Sequence, residues 1–495
     1  MNVWSFGLNS ARVLKAVTAI ALVAMAVGCG SSGSGPVPPL NGNFSNASLN
    51  GQYLITQTGF GITQSNSLDF FSETIVFKAD GNQHLTITVD DFDQAGGPFS
   101  LTSPISGSYG IKQDGTGFLS FSNGANYSIT MIDTSHFNVI EQDVFATASG
   151  FGEKQDTTAF SAAPSGTFVF RSHDIESPSG NSVSRVGRMS ITNGAVGGNQ
   201  DLLLFGALST NNAIASTTPL NTPDANGKGS FVLDDGTSFN YYVVNSNKFH
   251  FMTKLANTLE IGQAEMQSGN FSPATLAAGS AYVFGSAGET SLIAGIHSAG
   301  VFNPDGAGNI TAGAVDFVQD TTVNANLPVT GGTYTLASSG RGTLNFTLNG
   351  GSISPQIFWM VNGSRAYFLV NSSSAVEDGT FTQQTGAPFT AIGGQASLIM
   401  DGFDTTLKDR VGVFAPTSAG KFNWNQTANA FDPNAGIGVI TTLPTSGSYQ
   451  VSSNGRVAAS VSGVTNSLVM YLSSPSSGVM VQEDANIGGS FTGQQ

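Results

Sequence analysis

The sequence contains a single cysteine, Cys29, in 495 residues, so no disulfide can form within the chain. Charge is also scarce, because Asp, Glu, Lys and Arg make up only 10% of the residues, against roughly 25% in an ordinary soluble domain. The 17 basic residues are outnumbered by 32 acidic ones, which gives a formal net charge of −15. No cluster of basic residues occurs, and this argues against nucleic acid as a partner.

Motifs of known catalytic centres are missing as well. The sequence has no Gly-x-Ser-x-Gly elbow, no His-Glu-x-x-His, no paired Cys-x-x-Cys and no phosphate-binding P-loop. The five histidines are scattered and occupy different positions in the repeats described below; they are His84, His136, His173, His250 and His297. The sequence therefore predicts no catalytic residues and a non-enzymatic protein, with a secreted carbohydrate-active or other hydrolytic enzyme as the alternative.

The first 29 residues have the pattern of an export signal. Arg12 and Lys15 supply positive charge, residues 16–27 form an apolar run, and small residues precede Cys29 in Ala-Val-Gly-Cys. The apolar run is shorter than the ~20 residues that a membrane-spanning helix needs. This stretch resembles a bacterial lipoprotein signal peptide, in which the cysteine becomes the lipid-modified first residue of the mature chain.

The resemblance implies that residues 1–28 are removed and that acylated Cys29 attaches the protein to a lipid bilayer. Gly30 stands where an aspartate would signal retention in the inner membrane, so the resemblance implies the outer membrane or the cell surface. Residues 29–43 are rich in Gly, Ser and Pro, and we expect them to form a flexible tether.

The rest of the chain consists of four similar copies of one unit. Matching segments begin at Gly51, Gly166, Gly279 and Gly394, at spacings of 115, 113 and 115 residues. Each is preceded by Phe and a hydroxyl residue, and each copy ends on glutamine. These marks set the repeat boundaries at 44–155, 156–267, 268–384 and 385–495. Inner landmarks recur in some or all copies: Tyr109, Tyr334 and Tyr449; Gly115, Gly227, Gly340 and Gly455; Asp91 and Asp316.

Signals of β-strands dominate each copy. In "HLTITVD", for example, Leu85, Ile87 and Val89 alternate with Thr86 and Thr88, and Asp-Gly and Asn-Gly pairs mark tight turns between such runs. The third copy reads as about eight strands connected in series. An even number of antiparallel strands lets the first pair with the last, which leaves no edge exposed. We therefore predict an all-β chain of four tandem up-and-down β-barrels, with β-sandwiches or a propeller as alternatives.

The repeats resemble uncharacterised β-repeat surface lipoproteins of environmental Gram-negative bacteria. The matching elements are Gly-x-Tyr, Asp-Gly-x-Gly-x-Ile, and Gly-x-Tyr followed by Gly-Arg-Gly. The resemblance covers nearly all of the chain after the signal and implies no activity.

The best metal candidate is a glycine-rich turn in the third copy. Asn303, Asp305 and Asn309 supply hard oxygen atoms of the kind that calcium prefers. The alternative is an ordinary hairpin turn built on Asp-Gly. We predict no cofactor, with calcium as the metal that this turn would favour.

Arginines and tryptophans offer two further interpretations. Arg341 and Arg456 recur after a turn glycine and are predicted to pair with the carboxylates that recur before the last strand of a copy. Trp359 and Trp424 could line a sugar-binding site by stacking on the ligand.

The sequence thus predicts a membrane-anchored surface lipoprotein whose repeats bind or space without catalysis. Repetition without a preserved polar cluster favours multivalent contact with a glycan or protein ligand at the cell surface. The alternatives are the hydrolytic enzyme named above and a barrel-type carrier of small ligands, which needs a large cavity inside a barrel.

Overall fold

The structure is a computed structural model that describes residues 42–495, except 63–67, 95–96, 102, 177–180, 205–206, 256–257, 292–293, 320–321, 350, 374, 404–405, 419, 463–466 and 484–485. The signal peptide and Cys29 lie outside the described residues. Within the described part, no helix has the length and apolar character of a membrane span.

The first two repeats each form an antiparallel barrel. Barrel 1 contains β1 (Asn50–Ile62), β2 (Leu68–Asp80), β3 (His84–Gln94), the two-residue β4 (Phe99–Ser100), β5 (Ile105–Ile111), β6 (Thr116–Phe121), β7 (Asn126–Met131), β8 (His136–Glu141) and β9 (Ala146–Lys154). Barrel 2 contains β10 (Gly166–Glu176), β11 (Asn181–Thr192), β12 (Ala195–Leu204), β13 (Ala207–Thr218), β14 (Lys228–Leu233), β15 (Ser238–Asn245), β16 (Lys248–Thr253) and β17 (Ile261–Met266).

The last two repeats follow the same plan. Barrel 3 contains β18 (Tyr282–Ser291), β19 (Ala294–Pro304), β20 (Asn309–Gln319), β21 (Thr322–Leu336), β22 (Arg341–Leu348), the two-residue β23 (Gly351–Ser352), β24 (Gln356–Asn362), β25 (Arg365–Val370) and β26 (Val376–Gln383). Barrel 4 contains β27 (Ala396–Phe403), β28 (Leu407–Ser418), β29 (Lys421–Asp432), β30 (Ile437–Val451), β31 (Arg456–Val461), β32 (Ser467–Ser474), β33 (Ser477–Gln482) and β34 (Asn486–Gly493). Short 3-10 helices precede the first three barrels at Asn46–Ser48, Thr157–Ser161 and Pro273–Thr275.

Each barrel closes because its first strand pairs with both its second and its last strand. The pairs are β1 with β2 and β9, β10 with β11 and β17, β18 with β19 and β26, and β27 with β28 and β34. In barrels 1 and 3 the closed set has eight long strands, and the two-residue strand is an addition to it. The prediction of four tandem up-and-down barrels is confirmed, and the sandwich and propeller alternatives are wrong.

Large apolar side chains fill the described interior of every barrel. In barrel 3, for example, Phe358 packs on Phe381 with ring centroids 5.2 Å apart, and Tyr282 and Phe302 are fully buried beside them. The other three barrels have comparable buried clusters. The described interiors therefore do not support a carrier of small ligands inside a single barrel.

The recurring landmarks of the sequence meet at one end of each barrel. A turn glycine with positive φ lies against the phenylalanine that begins its own copy, as Gly340 lies against Phe271. The glutamine that ends the preceding copy packs against the same glycine. Its side-chain amide donates hydrogen bonds to two backbone carbonyls of the barrel that contains this glycine. Gln267 donates to the carbonyls of Ser339 and Met360. Equivalent pairs of bonds run from Gln155 to Asn226 and Val243, from Gln384 to Asn454 and Leu472, and from Gln494 to Asp114 and Met131.

The last of these glutamine contacts shows that the four barrels form a closed ring, because Gln494 of barrel 4 binds barrel 1. Further contacts join the same two barrels: Asn138 donates to Ser397 at 2.8 Å, and the fully buried Asn429 donates to the carbonyls of Glu141, Asp143 and Ala146. Each barrel therefore contacts the next, and the fourth contacts the first.

Three of the four junctions contain a buried apolar cluster. Barrels 1 and 2 share Leu54, Val76, Val89, Tyr242, Val244 and Met252. Barrels 2 and 3 share Val169, Val186, Leu203, Trp359, Val361, Tyr367, Leu369 and Val376. Barrels 3 and 4 share Val283, Ala299, Val301, Ala314, Val469, Tyr471 and Val481. Among the described residues, no such cluster joins barrels 4 and 1.

The same three junctions each contain what we call a junction triad: a buried aspartate that binds a cation and an aromatic donor of the following barrel. In the triad between barrels 3 and 4, Asp316 pairs with Arg456 at 2.6 Å and accepts a hydrogen bond from the Tyr471 hydroxyl. The other triads are Asp91 with Lys228 and Tyr242, and Asp201 with Arg341 and Trp359. The recurrence of Asp91 and Asp316 in the sequence thus has a structural reason.

The triads also correct the expectation for the arginines. Arg341 pairs with Asp201 on the third strand of the preceding barrel, so the prediction that it pairs with a carboxylate that recurs before the last strand of a copy is wrong. Arg456 does contact Glu483 of its own copy at 3.4 Å, but Asp316 of barrel 3 is its closer partner.

Candidate functional site: the central cavity

A cavity of about 790 Å³ lies where the four barrels meet. The first strand of every barrel contributes to it, with residues 56–60 of β1, 171–173 of β10, 285–289 of β18 and 401–403 of β27. Four of the five histidines of the chain line this cavity: His136, His173, His250 and His297. We call it the central cavity.

His173 of barrel 2 is held between two carboxylates of barrel 3. Its Nδ1 lies 3.3 Å from Asp378 and its Nε2 lies 3.8 Å from Glu289. Burial alone would lower the pKa of His173, but the hydrogen bonds to Asp378 and Glu289 outweigh it and raise this pKa to about 10. The imidazole is therefore a cation at neutral pH. The guanidinium of Arg171 is a second cation beside Asp378, at a distance of 3.2 Å.

A second charged group joins barrels 1 and 2. Glu153 accepts from Lys248 at 2.7 Å and lies 2.6 Å from Nε2 of His250. Burial opposes the charge on Glu153, but Lys248 and His250 hold its pKa well below its usual range. Burial lowers the pKa of His250, so its ring is neutral and Nε2 carries the proton that it donates to Glu153.

Two carboxylates of barrel 4 face the central cavity. Asp401 of β27 and Asp409 of β28 are direct cross-strand partners, so their Cβ atoms are separated by only about 5 Å. Burial raises the pKa of Asp401 to about 6 and that of Asp409 to about 7. Asp409 accepts a hydrogen bond from Thr147 of barrel 1, and neither carboxylate takes part in an ion pair with a described residue.

His297 and Asn486 line the central cavity beside this pair. His297 is 5% exposed and Asn486 is 3% exposed. Burial lowers the pKa of His297 to about 4, so its ring is neutral. Neither side chain has a hydrogen-bond partner among the described residues, and the buried Oδ1 of Asn486 is unsatisfied.

The residues of the predicted calcium turn lie elsewhere, between β19 and β20. The carboxylate of Asp305 accepts from the Asn309 side chain at 2.6 Å and from the backbone N–H groups of Ala307 and Asn309. Asn303 points its amide at the carbonyl of Ser280. The oxygens of Asp305 thus serve the turn itself. No group of three or more His, Cys, Asp or Glu side chains in the described part of the chain is arranged to hold a metal.

Both tryptophans named from the sequence are buried. Trp359 is 2% exposed and donates to Asp201, and Trp424 is 3% exposed in the core of barrel 4. The interpretation that they stack on a sugar is wrong, and their role is core and junction packing.

Sequence reasoning missed the central cavity entirely. The histidines occupy different repeat positions, on β8, β10, β16 and β19, and they converge only because the barrels are arranged in a ring. The one signal available was their scarcity, since a chain with five histidines places four of them at a single cavity.

No protein-family model and no curated protein matches the chain. Among solved structures, it is similar to a point mutant of transferrin binding protein B from Haemophilus parasuis, at 8% identity over 68% of this chain and 76% of that chain, with a TM-score of 0.19. It is also similar to an intact transferrin binding protein B with its N and C lobes, at 8% identity over 72% of this chain and 82% of that chain, with a TM-score of 0.19. At such a TM-score the whole folds do not superpose, so these likenesses say nothing about the ligand of this chain.

Proposed function

We propose that the chain is a non-catalytic binding protein, anchored to a membrane by lipid, whose ligand occupies the central cavity. One observation carries the binding role: the cavity is lined by 14 titratable side chains, in a protein with only 10% charged residues. Burying charge is costly unless the groups are paired or used. A ring that served only as a spacer would have no reason to concentrate charge at its centre.

The charged walls of the central cavity support a preformed site. The ion pairs of His173 with Asp378 and of Lys248 with Glu153 cross from one barrel to another. They fix the charged side chains before any ligand arrives, so binding loses little side-chain entropy. A volume of about 790 Å³ suits a small molecule or one segment of a larger glycan or protein ligand.

A ligand screen by thermal shift tests this proposal with a blocked cavity. Ala287 of β18 is exposed and lines the central cavity, so Ala287→Trp places an indole in the ligand's space without disturbing a barrel core. A ligand at 100 times its Kd stabilises the wild type by about 2.7 kcal/mol, and we expect Ala287→Trp to lose that stabilisation.

Ala312→Trp is the matched control, because Ala312 is exposed on the same barrel but outside the cavity. It should keep the stabilisation in full. Ligands that stabilise Ala287→Trp as much as the wild type would place the site elsewhere and overturn the proposal.

The anchor is proposed from the signal-like residues 1–29 alone. Cells that express the full chain are grown with an alkyne analogue of palmitate, and the purified protein is examined for the label. We expect label on the wild type and on Ser32→Ala, and none on Cys29→Ala. Label that persists on Cys29→Ala would end the claim.

A further inference from the structure

One wall of the central cavity combines a carboxylate with two unpartnered polar side chains. Asp401 comes from barrel 4, His297 from barrel 3 and Asn486 from barrel 4. His297 and Asn486 are both more than nine-tenths buried, and neither has a partner among the described residues. We call these three residues the Asp401 wall.

Glycines bring the three side chains together. Gly488 of β34 is the cross-strand partner of Asp401, and a Cβ at Gly488 would lie only 2.3 Å from Nδ1 of His297. Gly295 of β19 makes the reciprocal space, since a Cβ there would lie 2.7 Å from the amide nitrogen of Asn486. The ring of His297 therefore lies over Gly488, the cross-strand neighbour of Asp401. Asn486 lies two residues before Gly488 on β34, so its side chain is on the same face of the sheet.

Every residue of the Asp401 wall offers an acceptor, and the Asn486 amide and the His297 ring carry N–H groups as well. A carboxylate accepts only, the Oδ1 of Asn486 is a buried acceptor with no partner, and a neutral imidazole has one accepting nitrogen. A buried acceptor without a donor costs about 1–3 kcal/mol. A ligand group with several N–H donors would satisfy these three acceptors at once.

The surrounding charge favours a cation over an anion. Asp409 adjoins Asp401, and both the His173 cation and the carboxylate of Glu289 act on Asp401 across the cavity. Of the positive groups that line the cavity, His173 and Arg171 are held by Asp378 and Glu289, Lys248 by Glu153 and Arg365 by Glu265. Lys408 lines the cavity as well. A bound anion would have to compete with these carboxylates.

We propose that the Asp401 wall binds a primary ammonium group of the ligand. The inference rests on the proposed function, because it assigns a ligand class to the same cavity. An alkylammonium carries three N–H donors and one positive charge, which matches one carboxylate and two neutral acceptors. A divalent metal is the less suitable occupant, since metals require several converging ligands and the described residues form no such group.

Titration with n-butylamine at pH 7.5, followed by NMR, tests the proposal. At this pH the amine is an ammonium. We expect saturable binding to the wild type and affinity at least about tenfold weaker in Asp401→Asn, which keeps the shape and removes the charge. Asp305→Asn, in the turn between β19 and β20 far from the cavity lining, is the matched control and should bind as the wild type does.

A second measurement uses only the unmodified chain. On titration the ring resonances of His297 should shift, whereas those of the exposed His84 should not. A His297→Gln spectrum identifies the His297 signals. The neutral analogue 1-butanol, which has the same alkyl chain, should leave them unmoved in a parallel titration.

The outcomes separate this inference from the proposed function. If screened ligands bind the wild type and fail to bind Ala287→Trp, while n-butylamine leaves the His297 signals unchanged, the ammonium site is wrong and the cavity remains a binding site. If calcium chloride shifts these signals and n-butylamine does not, the occupant is a metal and the inference is overturned. If nothing binds the cavity, both proposals fail.

Discussion

Three buried aspartates show how a single residue type joins neighbouring barrels. In each junction triad the cation follows a turn glycine directly, as Arg456 follows Gly455, and the aromatic donor lies opposite the cation on the next strand. The counterpart of Arg456 in the first copy is Thr116, and its cross-strand partner is Thr130. In barrel 4 the strand register places Thr427 where the other barrels have the triad aspartate. The closing junction has thus lost the cation and the acid together, so no buried charge is left without its partner.

At the residue scale, Asp409 predicts a loss of stability as the pH rises. Its pKa is about 7 in the folded protein, against roughly 3.9 for an unfolded aspartate. Between these values the folded state binds more protons than the unfolded state, so raising the pH lowers the free energy of unfolding. His173 acts in the same direction. Its pKa is raised to about 10 in the folded protein, so the folded state keeps a proton that the unfolded state loses above about pH 6.5. The stabilisation from this proton decreases as the pH rises from about 6.5 to about 10.

Melting temperatures at pH 6.5 and 8.5 check this prediction. The buried, neutral His250 and His297 oppose this fall slightly, because an unfolded histidine is still about half protonated at pH 6.5 and is neutral at pH 8.5. This opposing change is the same in the wild type and in Asp409→Asn. We expect the melting temperature of the wild type to fall between the two values and that of Asp409→Asn to fall less. The exposed Asp234→Asn should behave as the wild type does. Equal falls in Asp409→Asn and the wild type would contradict the assignment.

At the scale of the elements, the turn before the fifth long strand of each barrel carries the repeat signature. Gly455 has φ +89°, and a Cβ there would lie 2.7 Å from the amide of Gln384 and 3.1 Å from the Phe389 ring. A side chain at this position would meet both backbone strain and the glutamine that joins barrels 3 and 4.

We therefore predict that Gly455→Ala lowers the free energy of unfolding by about 1–3 kcal/mol. Gly394→Ala is the matched control in the same barrel, because nothing lies within 4 Å of its Cβ position and its φ is not in the left-handed region. Urea denaturation followed by tryptophan fluorescence of Trp424 measures both. A loss in Gly455→Ala no larger than in Gly394→Ala would show that the turn has no such constraint.

The elements were largely predictable from the sequence, and the site was not. Alternating apolar residues such as Leu85, Ile87 and Val89 distinguish the inward face of a strand from the outward one, and Asp-Gly turns separate the strands. Alternation does not reveal whether an outward residue meets water or another barrel. Thr56 and Arg171 look like solvent-facing positions, and the structure places both at the central cavity. The site depends on how barrels pack, and no local pattern reports that.

At the scale of the whole molecule, the closing junction is polar and depends on buried amides. Asn429 is fully buried between barrels 4 and 1 and donates to three carbonyls. An arginine at this position would remove these three hydrogen bonds and force a larger side chain into a packed, buried space. We predict that Asn429→Arg opens the ring at this junction while each barrel stays folded.

Small-angle X-ray scattering measures the opening. A compact chain of this length has a radius of gyration of about 23 Å by general scaling, and Asn429→Arg should be clearly larger with an unchanged far-UV circular dichroism spectrum. Asn434→Arg serves as the control, because Asn434 is exposed in the turn that follows β29. Scattering curves that coincide for the two variants would mean that Asn429 does not hold the ring.

The position of Gln494 has a consequence for how many chains make one ring. Its amide lies against Gly115, which also contacts Phe44, so the start of barrel 1 and the end of barrel 4 occupy the same junction. The three apolar junctions hold these two surfaces at a high effective concentration, and a few hydrogen bonds are then sufficient to join them. Between separate chains the same bonds would face the full entropic cost of association. The chain therefore closes on itself in preference to exchanging barrels with a neighbour, as domain-swapped assemblies do.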